Sequence, residues 1–134
     1  MSIYVDTSAL LAVVDVAAAE HGAVRQVWEE LLLSDETLHA SNYVIVETHA
    51  LLQRRFGMAA IRLLEGVIAP VLLVHWATEE EHRAAARAVL AANRRDLSLV
   101  DCLSFSVMRE LAIQTALTLD PHFAEQGFRM LPEA

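Results

Sequence analysis

The chain is 134 residues long, 55% hydrophobic and formally −8 at pH 7, with a mean hydropathy of +0.37. That length predicts a single domain over residues 1–134, and the charge excludes a protein that grips nucleic acid through an overall positive surface. The single cysteine, Cys102, excludes an internal disulfide and any multi-cysteine zinc site.

No apolar run reaches the roughly 18 residues needed to span a bilayer, and Asp6 falls too early for a secretory leader, so the expectation is a cytoplasmic protein with no membrane contact. The high apolar content leaves material for an interface as well as a core, and a homodimer is expected. Every basic residue is arginine. Arg83 and Arg87 interleave with Glu80 and Glu81 and read as a solvated helix face. Arg54 and Arg55 stand together without such partners and are the candidates for contact with RNA or an acidic partner.

In chain order, Ile3 to Val5 is a β-rich run ending at Asp6, and Ser8 to Val14 reads as a short helix leaving it. From His21 to Leu33, Val24, Val27, Trp28, Leu31 and Leu32 recur at helical spacing. A short strand is expected at Leu38 to Ala40. Ser41 suits the N-cap of a helix from Asn42 to Phe56, which Gly57 would end. Another helix, Met58 to Ala69, should stop at Pro70. The continuous apolar run Val71 to Trp76 predicts a strand covered on both faces. Thr78 and Glu81 have capping-box spacing for a helix reaching Ala92. Asn93 to Asp96 is a loop, a helix runs from Ser98 to about Leu111, and Thr115 to Leu119 is a strand. Asp120 and Pro121 open a helical turn, and Phe128 to Leu131 forms a last strand. Strands separated by helices predict an α/β three-layer sandwich with a short, mainly parallel central sheet.

Functional crevices of such sheets lie beyond the carboxyl ends of the strands. Asp6 ends the first strand, where an N-cap explains it as well as a site residue does. Glu47 lies three residues after Val44 and four before Leu51, on the apolar side of its helix, where an unpaired carboxylate needs a cation or donors. Asp101 completes a capping box with Ser98 but shares a face with Leu97, Phe105 and Met108, which points it inward. Asp120 before Pro121 is an ordinary helix start, and a site role follows for it only if the other three converge. Carboxylates crowded together repel, and a divalent cation relieves the repulsion. Oxygen-only ligation selects Mg2+, with Mn2+ as the alternative. The six histidines show no zinc-like pairing and are expected to be structural or exposed.

The segments IYVDTSALL, NYVIVETHALLQRRFG, LSLVDCLSFSVMRE and ALTLDPHF together resemble the PIN domain, and within it the VapC-type toxins of bacterial toxin–antitoxin pairs. The resemblance covers nearly the whole chain, with the segments in the family's order. It implies a magnesium-dependent endoribonuclease that hydrolyses RNA with an activated water, silenced by a cognate antitoxin whose C-terminal segment wraps it. In the matched positions Asp6, Glu47, Asp101 and Asp120 form the catalytic, metal-holding quartet, and Thr7 and Ser8 are the hydroxyl-bearing residues that support the first acid. A phosphatase of the haloacid-dehalogenase type would want an acid where Ser8 stands, and a receiver domain would want a lysine that this chain lacks. The alternative that keeps the same acids is a non-enzymatic binding module whose acidic pocket receives partner arginines.

Overall fold

A computed structural model describes residues 1–133. Its elements run β1 (Ser2–Val5), α1 (Thr7–Val14), α2 (His21–Leu32), β2 (Thr37–Ser41), α3 (Asn42–Phe56), α4 (Met58–Leu63), β3 (Leu73–His75), α5 (Glu79–Ala92), α6 (Leu99–Glu110), β4 (Thr115–Leu117), α7 (His122–Glu125) and β5 (Arg129–Leu131). The strands form one sheet in the order β3-β2-β1-β4-β5, and every pairing is parallel. Consecutive residues of β1 and β4 are buried, so both faces of the sheet's centre are covered by helices, as a three-layer α/β architecture requires.

The predicted punctuation is present. Ser41 accepts the backbone N–H of Val44 at 3.2 Å, Gly57 ends α3 at φ 78°, a left-handed value that suits glycine, and Thr78 with Glu81 closes a reciprocal capping box. Cys102 is a buried free thiol.

Two expectations need correction. The run Val71 to Trp76 is not a strand covered on both faces: only Leu73–His75 pair, they form the sheet's edge, and Leu73 and Trp76 are 59% and 73% exposed. A continuous apolar run is also what an edge strand carries when its outer surface is left for something else to cover. The helix predicted for Met58 to Ala69 is not uniform either. It is α-helical to Leu63, widens to a π-turn over Leu64–Ile68 and tightens to a 3-10 turn over Ala69–Val71. Pro70, which has no N–H to give to a carbonyl four residues back, is the local reason for the change of pitch.

The chain builds β1, β2 and β3 toward one edge, then returns to place β4 on the free side of β1. The reversal of direction opens a crevice at the carboxyl ends of β1 and β4. Val5 is paired with Leu117, so the residues that follow each of them, Asp6 and Thr118, meet there.

Candidate active site

Asp6 is 4% exposed, and its side chain does not cap α1, which removes the structural explanation left open above. One oxygen, Oδ2, accepts the hydroxyls of Ser8 at 2.8 Å and Thr118 at 2.9 Å. Burial pushes its pKa from an ordinary 3.8 up to about 6, against the pull of those two hydroxyls, and the charge of Asp101 pushes the same way. Beneath it, Tyr4 is fully buried with its hydroxyl 2.7 Å from that of Ser104; burial pushes the phenol up to about 12.

Thr118 ties the crevice together. Its hydroxyl holds Asp6, lies 3.2 Å from Ser8 Oγ and accepts the backbone N–H of Asp120 at 3.0 Å. The Ser8 hydroxyl in turn accepts the N–H of Leu119 at 2.9 Å. The Thr7 hydroxyl, by contrast, is buried without a hydrogen-bond partner.

Asp101 both caps α6 and enters the site. Its Oδ2 accepts the Ser98 N–H at 3.0 Å while its own N–H goes to Ser98 Oγ at 3.1 Å. Burial and then the charge of Asp120 hold its carboxyl above the usual range, partly offset by the cap's hydrogen bonds. Asp120, held by Thr118 through its N–H, accepts the N–H of His122 on Oδ1 at 2.9 Å. Donor atoms of Asp101, Asp120 and His122 lie within 4.8 Å of one another. Asp101 thus stands between Asp6 on one side and the Asp120–His122 pair on the other, repelled by both carboxylates.

The remaining expected residues sit farther out. Glu47 is half-buried beside the Val44–Thr48–Leu52 stripe of α3 and faces a shallow hollow with Tyr43, Val46 and Val100, the last being the neighbour of Asp101. Among the described residues no hydrogen bond or salt bridge links it to the other acids. Arg54 and Arg55 occupy the exposed last turn of α3, roughly 10 Å along the helix from Glu47 at 1.5 Å per residue. The arginine wired to the crevice is Arg94, whose guanidinium pairs with Asp96 at 3.0 Å and Glu125 at 3.5 Å. Asp96 in turn lies 3.1 Å from His122.

Thr118, His122 and Arg94 were not singled out from the sequence. Thr118 looked like the end of a strand, His122 had no histidine at metal-binding spacing, and Arg94 fell in a polar loop. A second group of close donors, His75, Glu81 and Glu110, is accounted for by the α5 cap and a 2.8 Å bond from His75 to Glu81.

A parallel sheet that gathers buried and half-buried carboxylates at its topological crevice has them where α/β enzymes place their functional groups. The chain belongs to the PIN-domain family: the model of the PIN domain matches residues 3–129, and this domain is a nuclease fold. The chain is 33% identical over 127 residues to the 23S rRNA-specific endonuclease VapC20 of Mycobacterium tuberculosis, in strains CDC 1551 / Oshkosh and H37Rv, a match covering 94% of this chain and 95% of the relative. The crystal structure of M. tuberculosis VapC20, a toxin that cleaves the sarcin–ricin loop, resembles it with a TM-score of 0.82 at 33% identity over 94% and 95% of the two chains. FitAcB of Neisseria gonorrhoeae shares the fold, with a TM-score of 0.68 at 15% identity over 97% and 96%.

Proposed function

We propose that the chain is a metal-dependent endoribonuclease, the toxin of a toxin–antitoxin pair, in which Asp6, Glu47, Asp101 and Asp120 hold Mg2+ or Mn2+. The observation that carries this reading is the convergence of Asp6, Asp101 and Asp120 at the sheet's crevice with no arginine in salt-bridge contact with any of the three among the described residues. Carboxylates left to repel one another, two of them with pKa values raised, fit a divalent cation and suit a neutral pocket poorly.

When bound, the cation supplies charge neutralisation for the scissile phosphate and makes a water acidic enough to attack it. The chain's own groups do the rest. Ser8 and Thr118 fix the rotamer of Asp6, the Ser98 cap fixes Asp101, and the hydrogen bond to the His122 N–H fixes Asp120. In hydrolysis the water oxygen forms a new bond to phosphorus as the bond to the 3′ oxygen breaks. The water loses a proton and the departing oxygen gains one, leaving a 5′-phosphate and a 3′-hydroxyl.

At 33% identity over nearly the full length, the match to VapC20 makes a structured ribosomal RNA hairpin the first substrate to test. With a net charge of −8, RNA must be held by local arginines, with Arg54, Arg55, Arg94 and Arg95 as the candidates. An apolar groove of about 360 Å3 that includes the exposed Val16 and Val67 supports an antitoxin segment as partner, and the bare edge at Leu73 and Trp76 supports a homodimer. A cytoplasmic location accords with the absence, among the described residues, of a helix long and apolar enough to cross a membrane.

The test is cleavage of ribosomal RNA by the purified chain, with and without EDTA and after Mg2+ is restored. Metal-dependent products that vanish in Asp6→Asn support the proposal. Products that persist in EDTA, or in that variant with Mg2+ present, overturn the mechanism. No cleavage of any RNA under Mg2+ or Mn2+ favours the binding module.

A further inference from the structure

His122 lies at the start of α7 with its side chain 14% exposed. Its Nε2 is 3.1 Å from Asp96 Oδ2, and Arg94 donates to both oxygens of that carboxylate, sharing Oδ2 with the imidazole. Its Nδ1 is buried and 2.8 Å from Asp120 Oδ1, yet it makes no hydrogen bond. The same Asp120 oxygen already accepts the backbone N–H of His122.

This orientation has a consequence for the imidazole. With Nε2 directed at Asp96, Nδ1 is the ring nitrogen left to serve a cation. It lies beside Asp120 Oδ1 without the alignment of a hydrogen bond, so the two atoms can converge on a third centre. A carboxylate oxygen of Asp101 completes the set of three donors within 4.8 Å. Two ligands bound side by side, each about 2.1 Å from one ion, sit about 3 Å apart, and the 2.8 Å between Nδ1 and Oδ1 matches that spacing. A carboxylate on the far nitrogen is also how metal-bound histidines are held and kept in the right tautomer.

We propose that Nδ1 of His122 is a direct ligand in the cation site it forms with Asp101 and Asp120, so that this site has mixed nitrogen and oxygen donors and selects Mn2+ over Mg2+. The inference rests on the nuclease reading for the presence of a cation and adds a ligand and a metal preference to it. Mg2+ keeps hard oxygen ligands and its waters, whereas Mn2+ accepts imidazole.

The experiment uses the full chain loaded with Mn2+ alone. Electron spin-echo modulation reads a directly bound imidazole nitrogen, and calorimetry gives the affinities for Mn2+ and Mg2+ separately. In the unmodified protein a nitrogen modulation is expected. In His122→Gln it should vanish, Mn2+ should bind about tenfold more weakly or worse, and Mg2+ affinity should change by less than about threefold. In Asp96→Asn, which leaves the imidazole in place, the modulation should persist while Mn2+ binds more weakly.

Mn2+ bound without nitrogen modulation in the unmodified protein overturns the ligand assignment and leaves the carboxylate site standing; that readout needs no variant to fold. Equal weakening of both ions in His122→Gln means that the residue only positions Asp120, which also overturns it. Absence of cation binding, or Asp101→Asn binding Mn2+ as tightly as the unmodified chain, removes the nuclease reading itself.

Discussion

Replacing Asp6 with asparagine should stabilise the metal-free protein. The residue is 4% exposed, and its carboxyl is raised from 3.8 to about 6, chiefly by burial. A raised carboxyl pKa means that the fold prefers the protonated form. Below about pH 4 the group is protonated whether folded or not and the preference has no effect. Between about pH 4 and 6 the unfolded chain sheds its proton while the folded chain holds it, so stability falls as pH rises. Above about 6 both are ionised and the loss levels off near 3 kcal/mol, at 1.36 kcal/mol for each tenfold change in acidity. Asparagine keeps an oxygen for the Ser8 and Thr118 hydroxyls and carries no charge, so Asp6→Asn should recover most of that loss. Thermal unfolding in EDTA, followed by the fluorescence of the buried Trp28 and by circular dichroism, should show the variant melting roughly 10 °C higher at pH 7.5 and level with the parent near pH 3.5. Mg2+ at a hundred times its Kd should add about 2.7 kcal/mol to the parent alone and nearly close the gap. A variant no more stable than the parent at pH 7.5, or a difference that is the same at both pH values, would refute the claim that a buried charge is waiting for a cation.

Thr118→Val removes a hydroxyl donor from Asp6 and the acceptor of the Asp120 N–H. It should cost about 1 to 3 kcal/mol and raise the Asp6 carboxyl further. Under the proposal that ionised Asp6 is the form that binds the cation, cleavage should rise with pH through about 6 in the parent and through a higher value in this variant; superimposable pH–rate profiles would count against the role assigned to Thr118. Ser98→Ala breaks the box that orients Asp101 and should lower stability by about 1 kcal/mol, read as a drop of a few degrees in Tm. Tyr4→Phe leaves the buried Ser104 hydroxyl without its partner, and a loss of about 1 to 3 kcal/mol is expected in urea titration.

The parts of this molecule that could be read directly from the chain are those governed by neighbours in sequence. Helix caps at Ser41, Thr78 and Ser98 act within three residues of themselves, and the β-branched run before Asp6 forms the strand it promises. The run Val71 to Trp76 misled because apolar side chains on a two-faced strand and on a bare edge look alike until the strand order is known. Asp6 was ambiguous for a similar reason. Its burial follows from β4 settling beside β1, and the bond that defines it, from Thr118, spans 112 residues. Thr118 carries no local mark of its role. Its hydroxyl is informative only because the parallel register Val5 to Leu117 delivers it to the end of the neighbouring strand.

Asp101 shows why the structural and chemical readings of these acids were hard to separate, since they are not alternatives. One of its oxygens closes the α6 cap, which fixes the side chain's rotamer while a carboxylate oxygen of the same residue lies within 4.8 Å of donor atoms of Asp120 and His122. At Asp6 a single oxygen, Oδ2, likewise takes both hydroxyls; at Asp120, Oδ1 takes the His122 backbone N–H and keeps a second lone pair beside Nδ1 of that residue. Each carboxylate is anchored by ordinary folding interactions and keeps lone pairs free of them. An acid anchored in this way cannot swing out to solvent to escape its neighbours' charge, so the repulsion is built into the fold. A cation that binds here therefore meets ligands already ordered, and the free energy of its binding is not diminished by the need to collect them.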